Sequence, residues 1–190
     1  RSDYLISFKD DYKLSQQYEF NNNKNFIVSL GYQTPHSWYL SNNDPILNWT
    51  AHEVYLNDMI LFANEFSDSI IVIRSKINDW YYNPHFSEVI KRINNQKNLF
   101  ISTDYSTPWF SYKLCAKADL VIGRQTSLLD ECLSVGKPTL YYDYTHNIKS
   151  FFKELDYLPK DIFCTSIDEM INKSKLVLNG DLFFASLFRD

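Results

Sequence analysis

The sequence predicts an α/β domain built on a mostly parallel sheet of about six strands, with helices on both faces. Two observations carry this. Short apolar, β-branched runs alternate along the chain with segments of helical periodicity, as in Ser69 to Ile73 and then Phe86, Val89, Ile90 and Ile93. One stretch also spells out the repeating unit. Asp119 to Ile122 is an apolar run that ends at Gly123; Leu128, Leu129, Cys132, Leu133 and Val135 then recur at helical spacing. Gly136 and Pro138 close that helix, and Thr139 to Tyr142 follows as a strand.

In chain order, residues 1–24 are polar and weakly periodic, and read as a lead-in from a preceding segment. Asn25 to Leu30 is the first strand, closed by Gly31. The long polar and aromatic stretch from Tyr32 to Trp49 then lies at the carboxyl edge of the sheet, where α/β folds bind ligands. Thr50 and Glu53 have capping-box spacing ahead of a helix that is apolar on much of its circumference. Ser69 to Ile73 is a buried strand that ends at Arg74-Ser75-Lys76.

Asn83-Pro84 starts the next helix, and Leu99 to Ile101 is the third strand. Ser102 to Tyr105 follows at the ligand edge, and Thr107-Pro108 starts a helix that runs to about Ala116. Beyond Tyr142 come a polar loop with Asp143 and His146, a short helix around Phe151, and an edge strand from Asp161 to Cys164. Ser166 and Glu169 make a second capping box, and Leu182 to Phe188 is a terminal apolar helix. The expected division is therefore a lead-in at 1–24, one domain at 25–180 and a C-terminal helix at 181–190.

Composition narrows the function. A net charge of -4 with scattered Lys and Arg argues against a nucleic-acid surface. The three cysteines, Cys115, Cys132 and Cys164, form no CxxC pair and sit in apolar patterns, so reduced buried thiols are expected. No apolar run is long enough to span a membrane. Fourteen Tyr and fourteen Phe make the chain strongly aromatic. The run Trp80-Tyr81-Tyr82 is read as a packed loop, with stacking on a base or sugar as the alternative.

The chemistry is expected at the turn after Ile122. A helix N-terminus offers unpaired N–H groups and partial positive charge, which suit phosphate. Gly123 permits close backbone approach, and Arg124, Gln125, Thr126 and Ser127 add side-chain donors. Ser127 and Glu131 share a helix face, and Glu131 leans back toward the turn, where a carboxylate can accept two hydroxyls of a ribose. An ordinary strand–helix turn with a solvated polar face stands beside that reading.

The pattern Ala-Asp-Leu-Val-Ile-Gly, then Ser-Leu-Leu-Asp-Glu-Cys-Leu-Ser-Val-Gly-Lys-Pro-Thr-Leu, resembles the nucleotide-sugar-binding C-terminal domain of GT-B glycosyltransferases. It looks most like the bacterial surface-polysaccharide type, including capsule, teichoic-acid and Kdo-type transferases. The resemblance spans roughly 25–164 and implies a Rossmann-like, three-layer domain. It implies that Glu131 binds the donor's ribose, and that Gly123, Arg124, Gln125, Thr126 and Ser127 contact the diphosphate. Arg74 and Lys76 match a basic strand end that faces phosphate, and Ser102, Asp104 and Tyr105 match the segment that holds the base.

Gly31 ends a strand at the same edge, and His36, Asp104 and His146 are the local candidates for a general base. His52 and His85 read as structural. The side-chain-bearing turn Gly-Arg-Gln-Thr-Ser replaces the family's glycine-rich one, and Arg74-Ser75-Lys76 stands where several members carry His-Pro.

The resemblance thus implies a metal-independent transferase with the catalytic set Arg74, Arg124 and His36. It needs no cofactor, its nucleotide-sugar being a substrate. Its partners would be a nucleotide-sugar donor, a glycan or glycolipid acceptor and a domain N-terminal to residue 1. The expected location is cytoplasmic, peripheral at the inner face of the membrane. UDP-sugar 2-epimerases share this fold, and a non-catalytic nucleotide-sugar-binding domain is the reading from another class.

Overall fold

The structure, a computed structural model, describes residues 24–31, 49–76, 79–103, 109–124, 126–145 and 158–188. Six strands form one sheet: β1 (Phe26–Gly31), β2 (Ile70–Ser75), β3 (Leu99–Ile101), β4 (Leu120–Gly123), β5 (Thr139–Tyr142) and β6 (Phe163–Cys164). Their order is β3-β2-β1-β4-β5-β6, and every pairing is parallel. β1, β2, β4 and β5 are buried along their whole lengths, which is why they read as continuous apolar runs rather than alternating ones.

The helices are α1 (Trp49–Glu65), α2 (Ser87–Asn94), α3 (Phe110–Lys117), α4 (Ser127–Ser134), α5 (Ile167–Leu178) and α6 (Leu182–Leu187). From β1 the chain steps one way to β2 and β3, and from β4 the other way to β5 and β6. Right-handed crossovers in opposite directions put the connecting helices on opposite faces. α1 accordingly packs on α2 and α5, and α3 packs on α4.

Local signals explain most helix ends. Asn83 accepts the His85 N–H at 3.0 Å and starts a 3-10 turn, Pro84–Phe86, that leads into α2. Ser166 accepts the Glu169 N–H, and the Glu169 carboxylate reaches back to the Thr165 N–H at 2.8 Å. Burial alone would raise the Glu169 pKa, but Lys173 and the Thr165 donors outweigh it and hold the carboxyl low. Lys137 donates to the carbonyls of Ala116 at 2.6 Å and Ala118 at 2.8 Å, closing the C-terminus of α3.

Three details differ from the sequence expectation. α1 starts at Trp49, so Thr50 lies inside the first turn, and Glu53 pairs with His85 at 3.1 Å instead of closing a capping box. β2 runs on through Ser75, because β1 extends to Gly31 and pairs Leu30 with Arg74 and Gly31 with Ser75. The edge strand β6 is only Phe163–Cys164, entered from a 3-10 turn at Lys160–Ile162. The three cysteines are buried and free, as expected. Of the lead-in expected at 1–24 all but Lys24, most of the polar stretch from Tyr32 to Trp49, the helix start at Thr107-Pro108 and the expected helix around Phe151 lie outside the described residues.

His52 is buried between the rings of Tyr55, Trp80 and Phe86. That burial pushes its imidazole down to about 3. The unfolded chain takes up the same proton near pH 6.5, so between these values the unfolded state binds more protons. Stability from this group is therefore present at pH 7 and falls as pH drops below about 6.5, by up to about 1.4 kcal/mol per unit. Urea unfolding of His52→Phe against the native chain at pH 7 and pH 5 should show the variant losing less stability on acidification.

Gly136 has φ +75°, and a Cβ there would lie 2.6 Å from the Phe188 carbonyl oxygen. Gly136→Ala should lower the unfolding free energy by about 1–3 kcal/mol, read from the urea midpoint.

Candidate functional site

In a parallel sheet all carboxyl strand ends lie on one edge. Where the strand order reverses, neighbouring connections diverge and leave a crevice. Here the reversal lies between β1 and β4, flanked by Gly31 and Gly123. The loop after β4 leads directly into α4, so the α4 N-terminus opens at that crevice.

Thr126 caps α4. Its backbone is extended, and its hydroxyl oxygen accepts the Leu129 N–H at 3.1 Å. The N–H groups at the first positions of a helix have no intrahelical acceptor. Ser127 is the first residue of α4 and is exposed, so its N–H and hydroxyl are presented together. Glu131 lies one turn further on and is half-buried. Its Oε1 accepts from the Tyr112 hydroxyl at 3.3 Å. Its Oε2 is buried and has no hydrogen-bond partner among the described residues. A buried carboxylate oxygen left in this state favours an incoming donor.

The two arginines, expected as phosphate-facing groups at the end of β2 and in the turn after β4, are both buried and hydrogen-bonded within the protein. Arg124 is 2% exposed, and its Nε donates to Asp143 Oδ1 at 2.9 Å, within an ion pair whose carboxylate is fully buried. The same Oδ1 accepts from the Thr145 N–H at 3.0 Å and the Thr145 hydroxyl at 2.6 Å. Arg74 is 5% exposed. Its Nε donates to Ser111 at 2.9 Å, its Nη1 to Ser102 at 3.2 Å, and its guanidinium lies 5.3 Å from the centre of the Phe110 ring.

The reason is the extension of β2. Arg74 is paired within the sheet rather than hanging off its end. Arg74 thus ties the ends of β2 and β3 to the start of α3, and Arg124 ties the end of β4 to the end of β5, as a buried polar layer beneath the sheet's carboxyl edge.

Ser102 is buried in that layer, whereas Lys76 is exposed at the end of β2. Gly31 pairs with Ser75, and a Cβ on it would fall 2.6 Å from the Ser75 hydroxyl. Gly123 is similarly crowded: a Cβ would meet Leu30 at 3.2 Å and Leu129 at 3.4 Å, so the missing side chain lets α4 pack closely on β1 and β4. His36, Asp104, Tyr105, Gln125 and His146 lie outside the described residues. Sequence reading missed Tyr112, Ser111 and Phe110. They occupy ordinary positions of an amphipathic helix and gain meaning through contacts made 19 to 37 residues away.

No family model matches the sequence, and no curated protein does either. Solved structures match in three dimensions. The wall teichoic acid polymerase TagF superposes with a TM-score of 0.60 at 14% identity, over 99% of this chain and 43% of the polymerase. The C-terminal CMP-Kdo binding domain of WaaA from Acinetobacter baumannii gives 0.58 at 10% identity, over 99% of this chain and 95% of that domain. This chain has the fold of a GT-B C-terminal domain. UDP-GlcNAc 2-epimerase from Neisseria meningitidis, solved with UDP-GlcNAc bound, shares it too, with a TM-score of 0.63 at 11% identity over 98% of this chain and 45% of the epimerase. The chain therefore spans less than half the length of the polymerase and of the epimerase. No helix among the described residues is long and apolar enough to cross a membrane.

The Arg124–Asp143 pair lies buried at the carboxyl ends of β4 and β5. Removing one partner strands a buried charge, which costs more than the pair itself contributes. Asp143→Ala should destabilise the chain by about 3–5 kcal/mol, whereas the double change Arg124→Met with Asp143→Leu should recover most of that loss. Urea unfolding of the single and double variants measures both.

Proposed function

We propose that this chain is the donor-binding half of a glycosyltransferase. It would hold a nucleotide-activated sugar while the sugar passes to a surface glycan or glycolipid acceptor. The observation that carries the reading is the α4 N-terminus opening at the strand-order reversal, with the Glu131 Oε2 buried and unpartnered one turn behind it. The first is a place for phosphate and the second for the vicinal hydroxyls of a ribose. The similarity in fold to the CMP-Kdo binding domain of WaaA and to TagF supports the same reading.

The hard step in such a transfer is departure of a phosphate-bearing leaving group. Donors fixed before the reaction and aimed at the developing charge stabilise it without reorganising. In this chain those donors are the first N–H groups of α4, the Ser127 hydroxyl and the exposed Lys76 ammonium. Arg74 and Arg124 serve the step at one remove, as positioning residues that keep the strand ends and the start of α3 rigid. Tyr112 orients the Glu131 carboxylate. The reading assigns no cofactor and no catalytic metal. It places the general base at His36, Asp104 or His146, or on a partner domain preceding residue 1, and places the enzyme at the inner face of the membrane.

An isomerase is the second reading. The neisserial epimerase supports it, because a protein with this fold was solved bound to UDP-GlcNAc. Conversion of a UDP-sugar in the absence of any acceptor decides for it.

Thermal-shift and calorimetric titration with CMP, CDP, UDP and GDP test the nucleotide site. At least one should raise the unfolding temperature. Glu131→Ala should weaken that nucleotide by about tenfold or more, the worth of a hydrogen bond to a charged group. Stabilisation by none of the four, or equal binding by Glu131→Ala, sinks the donor-site reading.

A further inference from the structure

The aromatic run Trp80-Tyr81-Tyr82 plays no part in the donor crevice, and the structure divides it. Trp80 is 3% exposed and packs edge-on against His52 at 4.6 Å and Phe86 at 5.9 Å. Tyr82, two residues on, is 78% exposed and stands at 86° to Tyr81, with ring centres 5.3 Å apart. Both belong to one 3-10 turn, Asp79–Tyr82, so a buried anchor holds an exposed ring in place. Leaving a tyrosine ring in water forgoes the stabilisation that burying it would bring.

Beside that ring lies an open cavity of about 370 Å³, within the roughly 300–1,000 Å³ typical of small-molecule sites. Tyr81, Tyr82 and Pro84 line one side, and α2 lines the other, over the buried side chain of Ile90. From α2 come Ser87, Lys91 and Asn94, at spacings of four and three, hence on one helix face. These three side chains make no hydrogen bond to another described residue. The contrast along the same segment is informative. Arg92 donates to Asn57 at 2.7 Å and Gln96 to Asn64 at 3.3 Å, so the polar groups that face α1 are committed to it. Those that face the cavity are not.

An exposed aromatic face beside hydroxyl, amide and ammonium groups matches a sugar ring. The C–H face of a sugar stacks on an aromatic, and its hydroxyls both donate and accept. Lys91 is the single charged side chain among the described lining residues, and the exposed Tyr82 ring has no complement in a phosphate. We propose that the cavity between the Asp79–Tyr82 turn and α2 binds an uncharged oligosaccharide segment. The inference goes beyond the donor site and stands without it, because no residue is shared between the two.

Ligand-observed NMR on the full chain tests it, with maltohexaose, cellohexaose and chitohexaose as probes. At least one should bind with a dissociation constant in the millimolar range or below, unchanged by added salt. Tyr82→Ala should weaken it by about tenfold, the worth of one aromatic contact, and Asn94→Ala by less. Because Tyr82 is mostly in water, its removal should leave the unfolding temperature and nucleotide binding unchanged. Glu131→Ala should leave oligosaccharide binding intact, so failure of either site shows in its own ligand. Binding by none of the three probes, binding that survives Tyr82→Ala, or binding abolished by salt overturns the proposal.

Discussion

β1 is the element on which everything else is registered. It is buried along its whole length and pairs with β2 on one side and β4 on the other, setting Ile27 against both Ile71 and Leu120. A strand paired on both edges and covered on both faces can expose functional groups only at its ends. Because both neighbours run parallel to it, their carboxyl ends meet at Gly31, Ser75 and Gly123. The crevice follows from that register. A one-residue slip against β4 would move Leu30 off Gly123, and the gap that admits α4 close to β1 would be lost.

The polar layer under the crevice is expensive for a domain of this size. Arg74, Arg124, Asp143 and Ser102 are all nearly or fully inaccessible, and taking charges out of water is repaid only when partners are in place. Several are: Ser102, Ser111 and the Phe110 ring meet Arg74, while Asp143 pairs with Arg124 Nε and takes two further bonds from Thr145. Apolar side chains would fill the same volume more cheaply. What the layer supplies is cross-linking of the strand ends, next to the exposed Lys76 and the exposed Ser127 at the start of α4. A site that stabilises a leaving group needs its donors held before the reaction begins.

The aromatic content has a comparable division of labour. Tyr55, Tyr141, Tyr142, Phe62 and Phe86 are among the largest buried side chains, and three of the hydroxyls find near partners. Tyr55 meets Ser29, Tyr141 meets Asp130 and Tyr142 meets Asp58, each within 2.7 Å. These rings make a core of large, polar-tipped side chains in a sequence with only four glycines. Tyr82, Trp109 and Phe183 stand outside it, so aromatic abundance alone does not say which rings pack and which are presented.

The amino-acid sequence alone determined the strand–helix alternation, the parallel sheet, the unit from Asp119 to Tyr142, the Asn83 and Ser166 caps and the buried state of the thiols. Each depends on patterns within a few residues, where burial period and capping chemistry are local. The placement of Glu131 one turn behind Ser127 was legible for the same reason. Only the tertiary structure decided that Arg74 and Arg124 are buried, that Tyr112 meets Glu131, and that Trp80 anchors while Tyr82 is exposed. Those outcomes rest on pairings between segments far apart in the chain. A charged side chain stays in water unless partners that repay its burial are brought to it, and contacts between distant segments also decide which rings are covered.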